Sequence, residues 1–167
     1  MKKIIKELYP YVIIIIAVVL FRTFIATPVR VDGDSMNSTL KDKEIVILNK
    51  LDKSIERFDI VIIDFDGYKL VKRVIALPGE SIKYEDNNLY INDKIMEDIR
   101  LARTADFNLS EIYDITEIPE DYYFVMGDNR NNSSDSRDYR IGLIHKDEII
   151  GTTSFRIFPL NKIGKFN

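Results

Sequence analysis

Apolar residues are spread unevenly along the chain. Tyr11 to Phe21 is an unbroken apolar run of eleven, and Leu8 to Ala26 holds nineteen residues with Arg22 as its only charge. A helix of that length reaches about 28 Å, roughly a bilayer core. Arg22, near one end, has a stem long enough to snorkel to the headgroups, and Tyr9 and Tyr11 suit the opposite interface. Residues 1–27 are therefore expected to form a basic amino end and a single transmembrane anchor. A cleavable signal is the competing reading, because eleven apolar residues are also the length of a signal's central region. Its cut would need small residues one and three positions upstream. Cleavage after Ala26 places Phe24 at the third position, and cleavage after Thr27 places Ile25 there, so the uncleaved anchor fits better. Lys2, Lys3 and Lys6 before the span are matched by Arg30, Lys41 and Lys43 after it, and charge alone hardly orients it. The long segment that follows favours an amino end inside the cell and a domain outside.

From residue 28 to 167 the period changes to that of strands. Ile45 to Leu48, Ile60 to Phe65 and Leu70 to Leu77 are runs rich in Val and Ile, the last ended by Pro78-Gly79. Ile82 to Tyr84 and Leu89 to Ile91 flank Glu85-Asp86-Asn87-Asn88 as a hairpin, and Asn92-Asp93 turns the chain toward Ile95 and Met96. Tyr122 to Met126 and Ile149 to Phe158 read as one further strand each, while Arg100 to Ile118 is the least regular stretch. The expected fold is mostly β, a folded-over antiparallel sheet behind one amino-terminal helix, with about 81–120 a hairpin-containing insertion.

Composition narrows the chemistry. The chain has 167 residues, with 24 Lys and Arg against 27 Asp and Glu, a net charge of -3 that offers no basic excess for nucleic acid. There is no Cys and one His, His145. This removes disulfides, thiol nucleophiles, cysteine-ligated metals and multi-histidine centres, and leaves any Ser-His-Asp triad resting on one imidazole.

Three stretches look unlike ordinary strand or turn: Gly33 to Leu40, Leu70 to Glu80, and the polar run Gly127 to Arg137. In a strand over 70–75, Leu70, Lys72 and Val74 share one face, and Val71, Arg73 and Ile75 the other. Lys72 is then a cation between aliphatic neighbours. Burial there lowers its pKa and supplies a neutral amine able to take a proton from a serine hydroxyl. Taken singly, each stretch has a plainer reading: Lys72 on an exposed face, Ser35 in a turn, and the Asn/Ser/Asp run a solvated loop or calcium-binding turn, though without EF-hand spacing. His145, beside Lys146 and Asp147, reads as a surface residue.

In this order and behind this anchor, the three stretches resemble type I signal peptidases, the membrane-bound Ser-Lys proteases, in the short form common in Gram-positive bacteria. The resemblance implies Ser35 as nucleophile and Lys72 as general base. It also implies Ser133 as the hydroxyl that orients the lysine, Asp135 with Arg137 as an ion pair beside the site, and Asp128 as the acid of Gly-Asp-Asn-Arg. Met36 follows the nucleophile as in the family, and Arg73 follows the base on the opposite strand face, a structural place. The implied activity is removal of signal peptides from preproteins at the bilayer surface through an acyl-enzyme, with no metal or cofactor. Substrates of that class and the lipid bilayer would be its partners.

The chain departs from the family pattern at several points. Ser38 stands where proline is usual, Gly33 where some relatives carry a serine that helps hold the oxyanion, Ala76 where glycine is usual, and Glu80 where aspartate is commoner. Ser38 keeps a second reading open, a catalytically weak or inactive relative that chaperones secreted or pilus precursors. A self-cleaving regulator related to the SOS repressors would share the Ser-Lys logic, but a membrane span occupies the place of its DNA-binding module.

Overall fold

The structure, a computed structural model, describes residues 2–51, 54–99 and 103–166. Helix α1 (Lys2–Phe24) comes first. Its stretch Glu7–Phe24 is long and apolar enough to cross a membrane, and its side chains lie exposed rather than against the rest of the chain. The carbonyls that a helix leaves unpaired at its end are met here from the β domain. Lys50 Nζ donates to Thr23 O (3.0 Å) and Arg22 O (3.3 Å), and Thr27 Oγ1 donates to Arg22 O at 2.8 Å. A cation at that terminus also complements the helix dipole.

Strand β1 (Ala26–Arg30) starts two residues past the helix and pairs antiparallel with β2 (Ile45–Asn49), from Ala26↔Asn49 to Arg30↔Ile45. The sequence pattern does not separate this strand from the apolar run before it. Strands β3 (Ile60–Phe65) and β4 (Tyr68–Ala76) form a hairpin around Asp66-Gly67, both at positive φ (48° and 81°), the tight two-residue turn that suits strand twist. Its ladder runs from Phe65↔Tyr68 through Val61↔Lys72 to Ile60↔Arg73.

A second, smaller sheet follows. It is built from β5 (Ile82–Glu85), β6 (Asn88–Ile91), β7 (Lys94–Met96) and β8 (Phe107–Asn108), in the order β7-β6-β5-β8. Asp86-Asn87 and Asn92-Asp93 supply its turns, again at positive φ. The stretch expected to be irregular holds β8 and the short helix α2 (Leu109–Tyr113), N-capped by Asn108, whose side chain accepts from Ser110 N–H at 3.1 Å. Residues 100–102 of that stretch lie outside the described residues.

The chain then returns to the large sheet through β9 (Tyr122–Met126) and β10 (Ile144–His145). The run Ile149 to Phe158, expected as one strand, is two: β11 (Ile149–Thr152) and β12 (Phe155–Phe158). The register slips between Ile149 and Gly151 on β3, and the chain leaves the ladder at Thr153-Ser154 before β12 pairs with β2. Strand β13 (Gly164–Lys165) closes the edge, giving the order β10-β9-β4-β3-β11-β2-β12-β13 with β1 also on β2. Both faces of β3 are buried. Ile60 and Ile62 join a cluster with Val29, Met36, Leu40 and Val71, whereas Val61 and Ile63 join one with Val74, Val125 and Ile144. A third cluster, centred on Ile75, Ile82, Leu109 and Phe124, joins the small sheet to the large one. The fold is thus mostly antiparallel β behind one apolar helix, as the pattern of the sequence anticipates.

Candidate active site

Lys72 lies in the middle of β4, 3% exposed, on the face it shares with Leu70 and Val74 and with Val61 across the ladder. It is not on an exposed face. Its Nζ donates to Ser133 Oγ at 3.2 Å. Burial disfavours the ammonium and lowers the pKa to about 8, with Asp135 opposing that shift and Arg137 adding to it.

Ser133 stands in the loop after β9, and Gly127 opens that loop. A Cβ on Gly127 would lie 2.2 Å from Ser133 Oγ and 2.4 Å from Ser35 O, so only glycine lets the Ser35 loop and the Ser133 side chain come together there. Asn129 extends the same junction. Its N–H donates to Ser35 O at 2.9 Å, and its side chain donates to Asp34 O at 3.1 Å. Ser35 is half-buried in its turn, while Met36 beside it is fully buried and accepts from Leu40 N–H at 2.8 Å. The structure therefore brings Ser35, Lys72 and Ser133 to one place from three separate parts of the chain.

Asp135 supports Ser133 from behind. Burial would raise its carboxyl, but the two-pronged Arg137 pair (2.8 and 2.9 Å), the Gly127 N–H (2.9 Å) and the Ser133 side chain hold it below its ordinary value. Ser133 can thus accept from Lys72 while its own hydroxyl is directed to a carboxylate.

Arg73 faces the other way, as the strand alternation requires. Its Nε and Nη2 donate to Asp128 Oδ1 (2.7 Å) and Oδ2 (2.8 Å), and its Nη1 donates to Phe58 O at 2.6 Å. Asp128 also accepts from the Thr39 hydroxyl. Neither the Arg73–Asp128 pair nor the part of Thr39 is legible in the sequence, because the partners are 55 and 89 residues apart. Gly33 sits at φ +92°, a conformation that strains any L side chain, which gives its glycine a local reason. His145 is apart from the site: its Nδ1 accepts from Asp147 N–H at 3.3 Å and caps a turn of 3₁₀ helix. Among the described residues no group of three His, Asp or Glu side chains is placed to hold a metal ion.

A buried amine of lowered basicity set against a serine loop on an antiparallel β scaffold is the equipment of a hydrolase that needs no histidine. The chain belongs to the family described as signal peptidase, peptidase S26, whose model matches residues 3–158. It is thus a serine peptidase by family. Signal peptidase I of Bacillus licheniformis is 42% identical over 166 residues, covering 91% of this chain and 89% of that protein. Signal peptidase I S of Bacillus subtilis is 38% identical over 176 residues, covering 99% and 95%. The crystal structure of a signal peptidase I from Enterococcus faecalis superposes with a TM-score of 0.54 at 33% identity, covering 59% of this chain and 96% of that one.

Proposed function

We propose that the protein removes signal peptides from exported preproteins, with Ser35 as nucleophile and neutral Lys72 as general base. The observation that carries this reading is the dry Lys72 amine at 3.2 Å from Ser133 Oγ, beside the loop of Ser35. Lys72 takes the Ser35 hydroxyl proton as Oγ attacks the scissile carbonyl carbon. The tetrahedral oxyanion meets the Ser35 N–H, which donates to no protein acceptor among the described residues. As the C–N bond breaks, the Lys72 ammonium gives its proton to the leaving amine, and the acyl group stays on Ser35. The regenerated amine then takes a proton from water as the water oxygen attacks the acyl carbon. The bond from that carbon to Ser35 Oγ breaks, the Lys72 ammonium returns the proton to Oγ, and the signal peptide leaves with a new carboxyl group that ionises in solvent. Ser133 orients Lys72. Asp135 with Arg137, and Asp128 with Arg73, hold the loops in register.

The same reading places α1 across the cytoplasmic membrane with its amino end inside and the β domain, about residues 28–167, on the outer face. Its partners are then preproteins and the lipid bilayer, with no nucleic acid and no cofactor. The test is cleavage of a signal-peptide substrate by the detergent-solubilised chain, with Ser35→Ala alongside. Cleavage by the wild type and none by a variant with an unchanged melt supports the assignment. Processing by folded Ser35→Ala would end it.

A further inference from the structure

The loop that carries Ser133 and Asp135 is gripped at two points, from the small sheet on one side and from helix α2, which follows that sheet, on the other. Three residues before Ser133, Arg130 is buried, with none of its side chain exposed. Its Nη1 donates to Tyr84 Oη on β5 (2.6 Å) and Thr104 Oγ1 (3.0 Å) and pairs with Asp98 Oδ2 at 2.6 Å. Its Nε and Nη2 have no partner among the described residues, so its polar hold on the small sheet passes through one nitrogen. Three residues after Ser133, Ser136 is fully buried, and its carbonyl accepts from Tyr113 Oη on α2 at 2.5 Å. Ser136 N–H and Oγ are themselves bonded to Val125 of β9, at 3.0 and 3.1 Å. Both outside grips come from residues 84–113, and their hydrogen bonds end on Arg130 and Ser136 rather than on Lys72.

We infer that the small sheet with helix α2 is a brace for the active site: Arg130 and Tyr113 are positioning residues that fix where Ser133 stands against Lys72. This rests on the Ser35–Lys72 reading above. A loop held at both ends cannot drift from the strand, and drift of about 1 Å at a base-orienting group lowers turnover by up to about a hundredfold. The charged groups that face Lys72 are Asp135 and Arg137 of this same loop. Loosening the loop moves both of them and admits water to the amine.

The test uses the full chain in detergent micelles, with Tyr113→Phe as the conservative variant and Arg130→Lys as the second, which keeps the charge but ends one bond short of the Nη1 that makes the three contacts. Tyr113→Phe is expected to melt within a few degrees of wild type and to lose about tenfold in kcat at unchanged KM. Its acid limb should move to higher pH as Lys72 becomes hydrated, and amide deuterium exchange should rise across residues 127–137. Arg130→Lys should do the same. Folded variants that keep the wild-type acid limb and wild-type exchange overturn the brace, whatever their kcat. A wild type that cleaves nothing, with exchange still raised in both variants, sinks the catalytic reading and leaves the brace standing.

Discussion

Thr39 donates its hydroxyl to the same Asp128 carboxylate that Arg73 grips. One buried acid thereby ties the loop of Ser35 to the strand residue next to Lys72. The spacing between the Ser35 loop and the Lys72 strand is thus held by a buried ion pair.

Thr39→Val keeps the shape of the side chain and deletes the hydroxyl. Asp128 retains Arg73, so the loss of stability should be modest, about 1 kcal/mol. Turnover should fall more than stability, because the Ser35 loop loses its tie. Thermal melts and kcat measured on the same preparation separate the two effects.

Asp128→Asn attacks the pair itself. The Arg73 guanidinium, 2% exposed, would stay buried without its anion, and about 3–5 kcal/mol of stability should be lost. A melting temperature within a degree or two of wild type would contradict this.

Gly127→Ala places a methyl where Ser133 Oγ and the Ser35 carbonyl now lie, at 2.2 and 2.4 Å. The contact with Ser35 is to backbone, which cannot step aside as a flexible side chain would. Activity is expected to drop by about a hundredfold or more as the two loops separate. Retained activity would mean that Ser35 and Ser133 need not adjoin.

Burial lowers Lys72 from 10.5 to about 8. Cleavage should therefore rise with an apparent pKa near 8, and Lys72→Arg, which stays protonated, should be inactive. The same shift has a sign in stability. Below about pH 8 both folded and unfolded chains hold the proton, and the fold bears a buried ammonium. Between about 8 and 10.5 the native amine is neutral while the unfolded one is still charged. Over that window stability rises, by at most about 3 kcal/mol. Lys72→Met should melt above wild type at pH 7, and that gap should narrow as the pH is raised toward 10.

The strands around the site were legible because their apolar residues run in short Val/Ile-rich blocks with turn residues between them. The facing of Lys72 and Arg73 followed from alternation alone. What stayed hidden was long-range or masked by neighbours. Strand β1 reads as the tail of the membrane run, since Ala26-Thr27-Pro28 carries no strand signal of its own. The break between β11 and β12 comes from a register slip and two small polar residues, which periodicity does not weigh. Ser35 and Lys72 stood out only through the resemblance of their ordered surroundings to a known family. The partners of Arg73, Thr39 and Arg130 could not be found at all, because each lies on an element that the fold alone brings near.

The hairpin between β3 and β4 turns on two residues, Asp66 and Gly67, and that turn fixes Val61 opposite Lys72. Strand β4 carries two adjacent cations with opposite fates, one kept dry beside Ser133 and one locked to an acid. Slipping the ladder by a single residue would displace both from their places. One direction sets Arg73 opposite Val61 and turns Val74 toward Asp128, the other sets Val71 opposite Val61 and turns Lys72 toward Asp128. Adding or deleting one residue at this turn, at the far end of the strand from Arg73, would thus be enough to leave a folded domain with no amine beside Ser133. The chemical identity of the site is stored in the parity of a hairpin.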